Sequence, residues 1–178
     1  GLLAAIVAER ITGHTEPGYS SWQMERGHIE EPLARDLYNA HHPGAEAVEM
    51  GFMIRDFSGL SLGFSPDGLV GTDGFIEIKS RGQKKQVATV IDGQVPPENR
   101  AQIEAGFLVT GREWCDYISY SNGMHLYTVR VAPDPVWQVA LLEAAKAAEA
   151  QMAQWIDTYI KRVEGLPLAP RIPDLEIR

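Results

Sequence analysis

The chain has 178 residues, 44% hydrophobic and 22% charged, the proportions of a globular protein long enough to bury one full core. Its 24 acidic residues against 16 basic ones leave a net charge of −8, which excludes indiscriminate coating of a polyanion and allows only a local basic strip. The single cysteine, Cys115, excludes a disulfide framework and a cysteine zinc site, and is expected in the core of a protein of the reducing cytoplasm; no apolar run reaches the ~18 residues of a membrane span.

Residues 1–12 place Leu2, Leu3, Ile6, Val7 and Ile11 at helical spacing, with Gly13 at the C-cap; the charges of Glu9 and Arg10 and the lack of a basic leader argue against a signal peptide. A helix over 22–40 follows, on which Met24, Ile29, Leu33, Ala34, Leu37 and Tyr38 recur at three and four; Pro32 predicts a kink, or a helix start near Glu30 and Glu31. Strands are expected over 46–57, 60–65 and 74–80, the last two forming an antiparallel pair around a Pro66-Asp67-Gly68 turn. Residues 81–98, broken by Gly82, Gly93, Pro96 and Pro97, read as a surface loop holding at most one short helix. A helix over 99–110 ends at Gly111, and strands over 114–121 and 125–131 flank the hairpin pair Asn122-Gly123. A long helix to Val163 begins at Pro135, with Asp134 as N-cap, and a proline-rich tail, 165–178, reads as extended. The sum is a single α/β domain over 1–178: a mixed sheet of about five strands flanked by helices.

The chemistry concentrates in residues 56–80. On a strand, residues two apart share a face, so Glu77 and Lys79 of EIKS project together while Ile76 and Ile78 point into the core. The expected turn returns Asp67 beside them. Two convergent carboxylates form a hard-oxygen site suited to Mg²⁺ or Mn²⁺, and a lysine beside them can position water and stabilise charge on a phosphoryl transition state. An ordinary exposed Glu–Lys pair and a turn aspartate would give the same letters; the apolar Ile76 and Ile78 and the tight turn favour the site. Lys79, Arg81, Lys84 and Lys85 put four positive charges into seven residues, a candidate strip for DNA phosphates.

The string SPDGL followed by EIKS resembles the phage lambda exonuclease, or YqaJ-type recombinase, branch of the PD-(D/E)XK nucleases. Met24-Glu25-Arg26-Gly27, Glu31 and Ala34-Arg35-Asp36-Leu37-Tyr38 resemble that family's first helix, whose glutamate faces the metals; Glu31 is the matching position, with Glu30 as its alternative. The resemblance further implies a metal-proximal acid at Asp56, a carbonyl ligand at Ile78, and a partner of the reacting centre at Gln102 in RAQIEAGF. It implies a restriction-endonuclease-like core and an Mg²⁺-dependent exonuclease (Mn²⁺ substituting) that degrades duplex DNA from the 5′ end. Two metals would be held by Asp67, Glu77, Ile78, Glu31 and Asp56, and Lys79 would orient the nucleophile. A homotrimeric ring, a single-strand annealing partner that receives the 3′ strand, and a phage or prophage origin in a bacterial cytoplasm are implied with it. An endonuclease of the same superfold and a non-catalytic DNA-binding module are the alternatives. The family's 5′-phosphate grip, an arginine and a serine ahead of the first helix, finds no match, and Arg10 reads as a solvated charge. His28, His41 and His42 read as loop or helix-end residues, Phe57 and Phe64 as core. Trp137, Val139, Leu141, Leu142, Met152, Trp155, Ile156 and Tyr159 read as core or subunit contacts, and the tail leucines and isoleucine, Leu166, Leu168, Ile172 and Leu175, as an arm on a neighbour or on the same subunit.

Overall fold

The computed structural model describes residues 1–16 and 22–171. In chain order the elements are α1 (Leu2–Thr12), α2 (Trp22–His41), β1 (Ala47–Val48), β2 (Met53–Phe57), β3 (Leu60–Phe64), β4 (Gly68–Val70), β5 (Gly74–Ser80), α3 (Gln83–Asp92), α4 (Pro97–Thr110), β6 (Trp114–Tyr120), β7 (Tyr127–Val131) and α5 (Pro135–Val163). They form two compact units, Gly1–Glu16 with Ala147–Arg178, and Pro17–Lys146. No helix among the described residues is long and apolar enough to cross a membrane.

The larger unit is built on a five-stranded mixed sheet of order β1-β4-β5-β6-β7, in which only β5 and β6 run parallel. A parallel pair needs a crossover, and α3 and α4 supply it. Both faces of the sheet are covered. On one, Ala34 and Tyr38 of α2 close over Val70, Ile76, Ile78 and Ile118; on the other, Ile103 and Phe107 of α4 close over Leu69, Phe75, Cys115 and Tyr117. The central strand β5 is therefore buried on both sides, with Phe75, Ile76 and Glu77 all at 1% exposure or less. Alternation in β5 distinguishes two covered faces, not core from solvent, so the face that carries Phe75 and Glu77 is covered as well as the face of Ile76 and Ile78.

The expected hairpin differs as well. β3 pairs with β2 in a separate two-stranded sheet, and the partner of β5 is the short β4, joined to it through Gly71-Thr72-Asp73. Pro66-Asp67-Gly68 thus connects two sheets. Gly68 is closely packed there: a Cβ would lie 3.1 Å from Ala47 Cβ and 3.2 Å from Ile76 Cδ1, so those side chains would have to give by a few tenths of an ångström. The predicted strand over 46–57 divides into β1 and β2, which belong to different sheets. α2 runs unbroken through Pro32, whose missing donor faces the solvent-exposed His28. Its inner face is Glu30, Ala34, Arg35 and Tyr38, while Ile29 and Leu33 stay exposed.

Residues 83–92, within the stretch read as a surface loop holding at most one short helix, form α3, with its polarity inverted. Gln86 and Thr89 are buried, and Val87 and Ile91 are exposed. Hydrogen bonds hold the inner face: Gln86 Nε2 donates to the carbonyls of Ser119 and His125, and Ser119 Oγ donates to Gln86 Oε1. The Asn122-Gly123 hairpin joins β6 to β7 as expected, and Asp134 Oδ1 caps α5 by accepting from Val136 N. Along α5 only Met152 is buried, and the aromatic residues read as core or subunit contacts, Trp137, Trp155 and Tyr159, are about 40–50% exposed in the single chain. In the smaller unit Gly13 caps α1 in the left-handed conformation, and Arg10 is not a free charge but a bidentate partner of Glu149, 2.7 Å on each arm. Leu166 and Leu168 are exposed, and Ile172 and Leu175 lie outside the described residues.

Candidate active site

β4 pairs with β5 only from Gly74 to Ile76, so the edge of β5 beyond Ile76 has no strand beside it. The Asp67 carboxylate takes that place, its Oδ2 accepting the Ile78 amide at 2.5 Å. The aspartate is thereby anchored to the strand that carries Glu77 and Lys79. Lys79 Nζ donates to Glu77 Oε1 at 2.5 Å, and the second oxygen, Glu77 Oε2, is buried with no partner. From α2, Glu31 faces the same acid group closely enough to act on both Asp67 and Glu77 electrostatically.

Crowding carboxylates away from water penalises their ionised form. Burial, then repulsion from Asp67, raises the Glu77 carboxyl to about 7 despite the Lys79 ammonium. Burial likewise lifts Asp67 to about 6, with Glu31 adding repulsion, against the pull of the Ile78 amide, Lys79 and Arg35. An orphaned, buried carboxylate oxygen beside a second, half-buried carboxylate is the chemistry a hard divalent cation would complete. Among the described residues no three His, Cys, Asp or Glu side chains converge on one point. The donor set therefore fits a cation that takes two carboxylates and fills its shell with carbonyl and water oxygens, as Mg²⁺ does.

The other expected residues are placed unequally. Glu30 and Glu31 separate: the nearly buried Glu30 accepts from Ser80 Oγ, whereas Glu31 lies beside the acid pair. Asp56 stands on the β2–β3 hairpin, accepting from Ser61 Oγ. Gln102 is exposed in α4. Arg81 turns inward and donates to Asn99 Oδ1 and to Tyr117 OH, while Lys84 and Lys85 stay exposed at the start of α3.

Beyond Lys79 the surface opens into a groove of about 510 Å³ lined by Trp22, Arg26, Ser80, Arg81, Lys84 and Lys85. Arg26 Nε donates to Ser80 Oγ at 2.9 Å, and its guanidinium carbon lies 5.0 Å from the Trp22 ring centroid. The N-terminus of α3, with Gly82 as a cap that offers no side chain and no acid in the first turn, adds free amides to these cations. The groove suits an anion. Sequence reading missed Arg26 and Arg35: both lie in stretches quoted for their pattern, and the i,i+4 spacing of Glu31 and Arg35 was the available signal.

The sequence profile of the YqaJ-like viral recombinase domain matches residues 2–113. Among solved structures, the alkaline exonuclease LHK-Exo from Laribacter hongkongensis is similar at 29% identity over 93% of this chain and 85% of its own, with a TM-score of 0.83 for its complex with dAMP and 0.82 for a second structure. A phage-related exonuclease from Haemophilus somnus 129PT shares the fold at 10% identity, over 89% of this chain and 82% of its own, with a TM-score of 0.63. No curated protein sequence matches this chain at a significant level.

Proposed function

The chain belongs to the YqaJ-like viral recombinase domain family, and from that premise we propose that this nuclease is an Mg²⁺-dependent exonuclease acting on duplex DNA ends from the 5′ side. The observation that carries the reading is the Asp67–Glu77–Lys79 cluster with Glu77 Oε2 buried and unpartnered, and with a basic groove lined by Ser80 and Arg81 next along the chain. Mg²⁺, or Mn²⁺ in its place, would supply Lewis-acid polarisation of the scissile phosphate and stabilise the charge that develops on its oxygens.

The chain's own residues do the rest. Asp67 and Glu77 offer carboxylate oxygens to the cation, the Ile78 carbonyl a further oxygen, and Glu31 extends the acid set from α2. Lys79, held by Glu77, orients the attacking water and meets charge that develops on the phosphoryl oxygens. Arg26, Lys84, Lys85 and the α3 amides hold phosphates of the strand being degraded, with the exposed Trp22 beside Arg26 offering a flat apolar surface. The same proposal includes a homotrimer with its basic grooves facing a shared opening, and delivery of the surviving 3′ strand to a single-strand annealing protein in a bacterial cytoplasm. The charge distribution supports enclosure: a protein of net charge −8 with one short basic groove holds a polyanion poorly as a monomer.

The test is digestion of linear duplex labelled at either the 5′ or the 3′ end, with Mg²⁺ or with chelator, beside a supercoiled circle. Release of the 5′ label first, only with Mg²⁺, and an intact circle are expected. Nicking of the circle would make the enzyme an endonuclease, and no digestion of either would leave a binding module.

A further inference from the structure

Arg35 is nearly buried, with 10% of its side chain exposed, and its guanidinium joins three segments of the larger unit. Nη1 donates to the backbone carbonyl of Asp67 at 2.6 Å and to Glu31 Oε1 at 3.3 Å; Nη2 donates to Glu49 Oε2 at 2.7 Å. One arm thus ties α2 to the connection that carries Asp67, and the other is pinned by an acid just beyond β1. The contact with Asp67 is through its backbone, so the carboxylate stays free to accept the Ile78 amide.

We propose that Arg35 is a positioning residue of the cation centre, its planar fork fixing the spacing between Glu31 and Asp67 while its charge offsets the repulsion among the acids. The inference rests on Asp67 and Glu77 being that centre. Geometry sets the demand for arginine: a guanidinium offers five donors in a fixed plane, whereas a lysine ammonium is a point charge on a flexible stem. Residues that orient ligands from behind change metal affinity or activity by about 10–100-fold when replaced.

The experiment is calorimetric titration of the full chain with Mn²⁺ alone, on wild type, Arg35→Lys, Glu49→Gln and Asp67→Ala, with melting temperature and steady-state rates on linear duplex DNA. Arg35→Lys is expected to weaken Mn²⁺ about 10-fold or more and to lower kcat by about 10–100-fold, with KM for duplex within about threefold. Glu49→Gln, at an exposed position, is expected to weaken Mn²⁺ in the same direction by about two- to fivefold. A merely structural arginine would lower the melting temperature and leave Mn²⁺ affinity and kcat at wild-type values, which overturns the proposal. If Arg35→Lys does not fold, unchanged Mn²⁺ affinity in Glu49→Gln overturns it. Asp67→Ala separates the two readings. Where it abolishes Mn²⁺ binding and Arg35→Lys behaves as wild type, only the role of Arg35 falls; where wild type itself binds no Mn²⁺, or Asp67→Ala binds as wild type does, the centre falls and the role of Arg35 with it.

Discussion

Glu77 is 1% exposed and keeps one carboxylate oxygen unpartnered, an arrangement that costs about 1–3 kcal/mol for a neutral polar group and more for a charged one. Its carboxyl stands at about 7 and that of Asp67 at about 6, both above the ordinary carboxylate range because burial disfavours the ionised forms. A carboxyl raised by folding stabilises the fold fully at a pH below its unfolded value, and that contribution is lost as pH rises through the folded one. In chelator, the melting temperature is therefore expected to fall between about pH 4 and pH 7, and Asp67→Asn with Glu77→Gln to remove most of that fall. On the proposed function Mg²⁺ would bind the ionised pair, so its stabilising effect is expected to grow across the same window and activity to rise with it. Calorimetric melts at both ends of the window check this; a wild-type profile parallel to that of the double amide in chelator would refute it. The roles within the cluster separate by substitution. Asp67→Ala is expected to lose at least ~10³-fold in turnover while keeping duplex binding. Lys79→Ala is expected to keep the Mg²⁺-induced rise in melting temperature and yet be nearly inactive. Loss of that rise with Lys79 would make the lysine structural.

The elements that bear the site depend on close approaches as much as on pattern. α4 can lie against the sheet because Gly106 has no side chain: a Cβ there would meet the Phe64 and Phe75 rings at 2.8 Å. Gly106→Ala gains up to about 1 kcal/mol of helix propensity and loses about 1–3 kcal/mol to overpacking, so a lower melting temperature is expected. A rise would show that the two rings yield. On α3, Lys84 and Lys85 contribute charge without packing, so replacing both with alanine is expected to leave the melting temperature unchanged and hydrolysis at low salt intact. The slope of log affinity for duplex against log salt should flatten by up to about two, measured by fluorescence anisotropy. α3 was also the element least legible in the sequence. Its buried residues are Gln86 and Thr89 and its apolar ones face outward, so hydrophobic periodicity reports the wrong side. By contrast α1, α4 and α5 carry their own stop and start signals in Gly13, Gly111 and Asp134, which act through local geometry and were read correctly.

For the molecule as a whole, net charge and the proposed substrate are in tension: the chain carries −8 over 178 residues, while Arg26, Arg81, Lys84 and Lys85 gather positive charge along one groove. Sedimentation at micromolar concentration is expected to show a trimer; a monomer that degrades long duplexes without releasing them would exclude enclosure as the holding device. What the sequence by itself determined is the chemistry and the local order. SPDG and EIKS name the acids and the lysine, glycine and aspartate caps set helix ends, and alternation finds β5, because each of these acts over a few residues. Only the tertiary structure decided which acids meet. Glu31 acts electrostatically on Asp67 and Glu77 while Glu30 accepts from Ser80 Oγ, because α2 presents successive residues 100° apart against a fixed sheet. Asp56 lies on a hairpin outside the main sheet because β3 pairs with β2 and leaves β5 to β4. Burial of β5 on both faces, which turns an ordinary Glu–Lys pair into a perturbed acid with a free oxygen, follows from α2 and α4 closing from opposite sides, and no window of residues around position 77 contains that information.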